Sequence, residues 1–179
     1  MELYKELNIL ENKNLYIKIN LFSLVILVVT SIIALLLSLI IFGKIHLTFS
    51  ISGYFWVVGI FLISLLIHEL IHGIFFRIFS KSKAKIKYGF SKGMLYASNP
   101  GEIYTKQHFC IIIIAPFVLN TVIFFLLYLF GLNGSVFWIV FILHTSGCAG
   151  DFWYIYEMIT SPKITHCEDT PVGVKFFIA

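Results

Sequence analysis

The stretch that decides the fold is residues 54–79, which read YFWVVGIFLISLLIHELIHGIFFRIF. This stretch is long and apolar enough to cross a bilayer as a helix, which requires about 20 residues. Two histidines and a glutamate nevertheless lie inside it, at His68, Glu69 and His72. Ionisable side chains are costly to place in hydrocarbon, so their presence there indicates a functional site.

The spacing of these three residues predicts a zinc site of the H-E-x-x-H type. On a helix, His68 and His72 lie on the same face, where both can bind one Zn²⁺. Glu69 lies roughly 100° around the helix axis. Its carboxylate is therefore close enough to act as the general base for a water at the metal. We expect His68 and His72 to be metal ligands and Glu69 to be catalytic.

The composition predicts an integral membrane protein. Of 179 residues, 59% are hydrophobic and only 12% are charged, and the mean hydropathy is +0.95. A soluble domain carries about 25% charged residues. The net charge is +4, but the basic residues cluster beside apolar spans. That pattern indicates membrane topology and excludes a nucleic-acid partner. The cysteines lack a repeated C-x-x-C spacing, which argues against a disulfide framework.

Four stretches are long and apolar enough to span a membrane, namely residues 20–42, 54–79, 108–130 and 135–159. The polar start of the chain does not resemble a cleavable signal peptide, so the first span is expected to remain as an anchor. Lysine and arginine concentrate in residues 80–107 and in both terminal segments. The positive-inside rule places these segments, including the tail 160–179, on the cytoplasmic side. We expect one all-α, four-helix, multi-pass domain over residues 1–179, and the composition is typical of a bacterial cell membrane protein.

A small β-hairpin is predicted in the cytoplasmic loop between the second and third spans. Residues 83–88 alternate polar and apolar side chains, residues 94–97 follow the turn signal Lys92-Gly93, and Asn99-Pro100-Gly101 ends the pattern. Its lysines indicate contact with lipid headgroups of the bilayer. The alternative is an edge strand that captures an extended peptide.

The two ends of the chain carry weaker patterns. Leu3, Leu7 and Leu10 recur at helical spacing and predict a short interfacial helix. The tail contains His166-Cys167-Glu168-Asp169, a set of metal-binding residue types. Because this set lies in a polar tail, we expect a solvated surface there.

A third zinc ligand must come from another helix at the same depth, because a catalytic zinc usually has three protein ligands. Counted from the outer ends of the second and fourth spans, Asp151 falls between the two histidines. His144 lies roughly 10 Å further out. We therefore predict Asp151 as the third ligand, next to small residues that let helices approach closely. For His144 we expect a hydrogen bond inside the bundle, and for Cys148 a packing role.

The third span contributes Asn120 at a comparable depth. Its amide could donate to the reacting carbonyl or orient a ligand, so we predict a catalytic role for it. The alternative is a hydrogen bond between helices. Pro116, one turn earlier, can kink the helix and open space for substrate. Gly73, directly after the second histidine, would permit close packing.

The HELIH motif at residues 68–72, the Ala115–Asn120 segment APFVLN and the Gly150-Asp151 pair resemble the putative zincin peptidase family of small bacterial membrane proteins. These proteins are similar in design to site-two proteases, which are intramembrane zinc enzymes with a histidine pair on one helix and an aspartate on another. The resemblance covers most of residues 50–160. It implies that His68, His72 and Asp151 bind zinc and that Glu69 is the catalytic base.

The function predicted from the sequence is a membrane-embedded zinc metallopeptidase. Its partner would be a membrane-associated protein or peptide that is cleaved near the cytoplasmic face. One alternative is a non-catalytic metal-binding scaffold or regulator. Glu69 argues against it, because metal binding alone does not need a carboxylate beside the first ligand. Another is a haem or transport protein that uses His72 and His144, and the difference in their depth argues against that pairing.

Overall fold

The computed structural model describes residues 1–9, 11–43, 50–81 and 85–179, and these residues are mostly helical. They form five helices, which are α1 (Lys13–Phe42), α2 (Ile51–Phe79), α3 (Lys106–Leu129), α4 (Gly134–Gly147) and α5 (Ala149–Thr160). They also form six strands, which are β1 (Glu2–Asn8), β2 (Lys87–Ser91), β3 (Met94–Ser98), β4 (Ile103–Thr105), β5 (His166–Thr170) and β6 (Gly173–Ile178).

Three helices, α1, α2 and α3, are long and apolar enough to cross a membrane. Each begins a few residues before the corresponding predicted span, because a polar residue caps its first turn. The side chains of Asn12, Ser50 and Thr105 accept hydrogen bonds from backbone N–H groups there. Such caps satisfy amide groups that have no partner within the helix. Most leucine, isoleucine and valine side chains of α1 are exposed, as expected for a helix that faces lipid.

The fourth predicted span is not one continuous helix. Together α4 and α5 are long and apolar enough to cross a membrane, but they are bent by 50° at the break around Cys148. Gly147 and Gly150 flank this break, and glycine in a helix interior costs more conformational entropy than other residues. The prediction of a single helix over residues 135–159 is therefore wrong. The break leaves Asp151 in the first turn of α5.

Both ends of the chain join one antiparallel sheet with the strand order β1-β6-β5-β4. Leu3 and Leu7 lie in β1, so the predicted interfacial helix is wrong, and Leu10 lies outside the described residues. The tail is not a solvated segment either, because β5 pairs with β6 and both Cys167 and Phe176 are fully buried. The predicted fold class, all-α with one hairpin, is therefore confirmed only in part, since the described residues are mostly helical but a four-stranded sheet accompanies the hairpin.

The terminal sheet is held against the helices by apolar packing and one ion pair. Side chains of β5 and β6 belong to the same buried cluster as Phe109 of α3 and Met158 of α5. Lys5 of β1 donates to the Glu157 carboxylate of α5 at 2.7 Å. The sheet therefore anchors the chain ends beside α5, the helix that carries Asp151.

The second sheet is the predicted hairpin, in which β2 and β3 pair from Lys87–Ser98 to Ser91–Met94. Residues 83 and 84, where the predicted alternation begins, lie outside the described residues. The hairpin packs on α2 because Gly73 has no side chain, and an added Cβ there would collide with the Tyr88 hydroxyl. The close packing predicted at Gly73 is therefore found between α2 and the hairpin. The side of the membrane on which the hairpin lies stays a prediction.

Candidate metal centre

The structure brings both predicted histidines and the predicted aspartate together. His68 and His72 lie in the second half of α2, and Asp151 lies at the start of α5. The Nε2 atom of His68 is 3.0 Å from Oδ2 of Asp151, and the Nε2 atom of His72 is 3.5 Å from Oδ1. One carboxylate therefore faces the same ring nitrogen of each histidine.

The chemistry and spacing of these three residues fit a zinc ion. Two imidazole nitrogens and a carboxylate oxygen are donors that zinc prefers. With bonds of about 2.0–2.1 Å, a tetrahedral zinc ion holds its ligand atoms about 3.3 Å apart. The observed separations, 3.0 Å to one carboxylate oxygen and 3.5 Å to the other, lie on either side of that value, and one donor atom of each residue lies within 4.8 Å of the other two. We conclude that His68, His72 and Asp151 could hold zinc.

The ring of His72 is oriented by the backbone of α3. Its Nδ1 atom lies 3.1 Å from the carbonyl oxygen of Ile112, in a buried contact. A carbonyl oxygen can only accept a hydrogen bond, so the proton of the neutral ring is on Nδ1. The Nε2 atom, which faces Asp151, is then free to bind a metal.

The ring of His68 has a different neighbour. Its Nδ1 atom lies 3.5 Å from Nε2 of His144 and 3.9 Å from Sγ of Cys148. The prediction that His144 lies at a clearly different depth from the histidine pair is therefore wrong. His68 is one turn nearer the start of α2 than His72, and a count from the ends of two spans assumes that both spans begin at the same depth. The prediction of a polar partner for His144 inside the bundle agrees with this contact.

Cys148 also lies closer to the polar cluster than a simple packing role implies. Its Sγ atom lies within 4.0 Å of both ring nitrogens of His144. His68, His144 and Cys148 therefore form a second close group of possible metal donors, which shares His68 with the first group.

The carboxylate of Glu69 is next to β3. It accepts a hydrogen bond from the backbone N–H of Ala97, and it lies near His68, His72 and Asp151. A backbone donor can hold a carboxylate in one orientation without neutralising it. Glu69 therefore lies beside the possible zinc ligands, but it is directed toward the hairpin.

The structure does not bring Asn120 to the cavity that contains these residues. Asn120 is fully buried, and neither polar atom of its amide has a partner among the described residues. Its neighbours at helical spacing, Phe117 and Phe124, both contact the ring of His144. Asn120 thus lies on the face of α3 that is turned toward α4. Its predicted catalytic role is not supported by this position, since a match in depth does not determine the rotation of a helix.

A cavity of about 640 Å³ adjoins the metal site. Besides α2 and α5, its wall includes residues of α1, α3 and α4, the hairpin residues Phe90 and Gly93–Ala97, and residues 169–173 around the turn between β5 and β6. The lining is mainly apolar, with His68, Glu69, His72 and Asp151 among the polar groups. Such a cavity is typical of a site that binds an organic ligand and orients it with a few polar groups.

Asp169 of β5 is the residue of this cavity that the sequence did not predict. It is buried, it lines the cavity, and its Oδ2 atom has no hydrogen-bond partner in the part of the chain that the structure describes. Burial raises the pKa of the Asp169 carboxyl well above its ordinary value, while the nearby His72 opposes that shift. The signal was the alternation in β5, which puts Asp169 on the same face as the buried Cys167. The prediction of a solvated surface here is wrong.

The fold and the site define a class: a mostly helical protein with three or four helices that can cross a membrane and a buried H-E-x-x-H pair that faces an aspartate. The model of a family described as putative zincin peptidase matches residues 61–165, and the chain belongs to this family. The matched range contains the histidine pair, Glu69 and Asp151. Neither the curated proteins nor the solved structures contain a match to the chain.

Proposed function

We propose that this protein is a membrane-embedded zinc metallopeptidase that hydrolyses a peptide bond of a membrane-associated protein or peptide. The observation that carries the proposal is the convergence of His68, His72 and Asp151 among apolar helices, with Glu69 lining the same cavity. Family membership supports the peptidase assignment. Retaining ionisable groups at this depth is costly unless they have a function.

In this proposal the chain supplies the metal ligands and the base. Zinc, when bound by His68, His72 and Asp151, would supply a Lewis acid that acidifies water and polarises a carbonyl group. Glu69 would accept a proton from the attacking water and pass it to the departing amine. The N–H of Ala97 would keep the Glu69 carboxylate directed at the cavity during both transfers.

The hairpin supports a peptide substrate in an extended conformation. Lys92 and Gly93 both have positive φ, at 48° and 83°, which is the conformation of a two-residue type I′ turn. Ser91 and Met94 close such a hairpin with a hydrogen-bonded pair, and paired residues then alternate along the strands. Leu95 and Ala97 consequently direct their N–H and C=O groups away from β2.

The outer edge of β3 is therefore available for a peptide backbone. Among the described residues, the hairpin sheet contains only β2 and β3, so this edge has no strand partner. Ala97 already uses its outward N–H for Glu69, which agrees with the alternation. A peptide paired with Leu95 would run alongside the catalytic base. Addition of a strand to an exposed edge is a common mode of peptide recognition.

We further propose that the substrate reaches the site near the cytoplasmic face of the cell membrane. Both α1 and α2 line the cavity, so a peptide in the bilayer plane could approach along either helix. The positive-inside distribution favours cytoplasmic termini and a cytoplasmic hairpin. The hairpin contacts the cavity, which therefore lies toward that side.

The experiment that tests the function is cleavage of a peptide library by the zinc-loaded protein in liposomes, with products identified by mass spectrometry. Glu69→Gln should lower cleavage by about 10²–10⁴-fold, since it removes the general base. Its zinc content should equal that of the wild type. Glu11→Gln, which removes an exposed carboxylate outside the cavity, is the matched control and should retain full activity. Zinc binding without cleavage by the wild type would overturn the peptidase proposal and favour the regulator.

A further inference from the structure

The two histidines of the proposed metal site have the same neighbour at Nε2 but different neighbours at Nδ1. Both direct Nε2 toward Asp151, so both have Nδ1 on the side away from it. Histidines that bind a metal almost always donate their second ring N–H to an acceptor, which sets the tautomer and the ring orientation. Each ring therefore needs an acceptor at Nδ1.

For His72 that acceptor is the carbonyl oxygen of Ile112, at 3.1 Å. A backbone carbonyl in α3 does not depend on the side chain at that position. Among the described residues, no carbonyl oxygen lies within hydrogen-bond distance of Nδ1 of His68. The polar atoms beside it belong to two side chains, namely His144 and Cys148.

The chemistry of these two neighbours distinguishes them. An unprotonated imidazole nitrogen is a good hydrogen-bond acceptor, whereas a thiol sulfur is a weak one. Nε2 of His144 is also the closer atom, at 3.5 Å compared with 3.9 Å for Sγ of Cys148. At 3.5 Å the contact is long for a hydrogen bond, and such contacts often shorten when a site binds its ligand.

The surroundings of His144 keep its ring in position. It is 1% exposed, lies parallel to the ring of Phe117 at 6.5 Å, and receives the edge of Phe124 at 5.3 Å. A polar ring enclosed by two phenylalanines at this depth needs a polar partner to offset the cost of its burial. Its Nε2 atom faces His68, while Sγ of Cys148 lies 4.0 Å from its Nδ1 atom.

We propose that His144 is a positioning residue of the metal site, which accepts the Nδ1–H of His68 and so presents Nε2 of His68 to the metal. This role rests on the metal site of the proposed function, but it does not require peptidase activity. His144 would do for His68 what the Ile112 carbonyl does for His72. Substitution of such a partner typically weakens metal binding by about 10–100-fold.

The test compares two substitutions of similar shape that differ in their acceptor. His144→Gln retains a side-chain oxygen, and His144→Met has only a weakly accepting thioether sulfur. Zinc affinity of the purified full-length protein is measured by competition with a chelator. We expect His144→Met to bind zinc about 10–100-fold more weakly than the wild type and His144→Gln to recover most of that loss.

The visible spectrum of the Co²⁺-substituted protein provides a second readout. It reports the geometry of the ligands, so the bands should change in His144→Met and return toward the wild type in His144→Gln. Thr145→Val is the control, because Thr145 is buried on the same helix and its hydroxyl donates to the backbone carbonyl of Phe141. It should leave both readouts unchanged. Melting of the metal-free proteins identifies any variant that does not fold, and His144→Phe then replaces His144→Met as the variant without an acceptor.

Equal zinc affinity of the wild type, His144→Gln and His144→Met would overturn the positioning role. A loss in Cys148→Ala with none in His144→Met would also overturn it, because the partner of His68 would then be the thiol. Failure of the wild type to bind zinc would contradict the metal site itself. Failure to cleave peptides, with the affinity difference intact, would contradict only the peptidase proposal.

Discussion

The cavity has two walls that differ in how they present polar groups. The helical wall includes His68, Glu69 and His72 of α2 and Asp151 of α5, and through these residues it presents polar side chains. The strand wall consists of residues 93–97 and 169–173, and its outer strand edge presents mainly backbone groups. Side chains can hold a metal and transfer protons, whereas backbone groups can align a peptide of any sequence. The difference suggests that chemistry and substrate positioning are assigned to separate elements.

The largest expected effect is a difference in zinc affinity between substitutions of two acidic residues, one on each wall of the cavity. Asp151→Ala should weaken zinc binding by more than about 100-fold, which exceeds the typical effect of substituting an outer partner. Asp169→Ala removes the acid of the strand wall and should change zinc affinity by less than about threefold, within the usual scatter for a residue that is not a ligand. Metal analysis and chelator competition measure both. Equal losses of zinc affinity in the two variants would contradict the assignment of metal binding to the helical wall.

An intermediate effect is expected at the outer edge of β3. Leu95→Pro removes one outward N–H that the hairpin does not use, so β2 and β3 should remain paired. The loss of one hydrogen bond to the substrate should lower kcat/KM by about tenfold, while zinc content stays the same. Leu95→Ala is the control, because it shortens the same side chain and keeps the N–H. Peptide cleavage assays decide the matter, and similar kcat/KM values for the two variants would argue against strand addition.

The smallest effect concerns the stability of the strand wall. Burial raises the pKa of Asp169 in the folded protein above its unfolded value of about 4. Stabilisation by the protonated carboxyl is therefore complete below that value and is lost as pH rises toward the folded-state pKa. Asp169→Asn stays neutral and escapes this loss. The melting temperature of Asp169→Asn minus that of the wild type should therefore be about 2–4 °C larger at about pH 8 than at about pH 4.

Glu168→Gln provides the control for this last measurement. Glu168 is adjacent in β5 but alternates to the other face, and its carboxylate accepts the N–H of Gly101. The same neutralisation there should not reproduce the pH-dependent gain. A pH-independent difference between Asp169→Asn and the wild type would mean that burial of the Asp169 carboxyl does not limit stability.

The helical wall was largely predictable from the sequence. The i, i+4 spacing puts His68 and His72 on one face, and a rise of 1.5 Å per residue allowed Asp151 to be placed at their depth. The same count failed for His144, which lies next to His68, because a count from the span ends assumes that two neighbouring helices begin at the same depth. For Asn120 the count gave only a depth, and depth does not specify which face of a helix is turned toward the site.

The strand wall was predictable only in part. The hairpin follows from local alternation and a Lys-Gly turn, so β2 and β3 were expected. The four-stranded sheet joins the two ends of the chain, and no local pattern records which distant segment a strand will pair with. Leu3 and Leu7 fit a helical spacing equally well, and the pairing of β1 with β6 decides between the two structures.

The sequence by itself determined which segments are long and apolar enough to span a membrane and where the zinc-type motif lies, because hydropathy and helical periodicity act within one segment. The tertiary structure alone decided what surrounds that motif. It brought His144 next to Nδ1 of His68, placed the outer edge of β3 beside Glu69, and buried Asp169 in the cavity. Each of these contacts depends on the packing of segments that are distant in the chain. Such packing is set by the free energy of the whole fold rather than by any local pattern of residues.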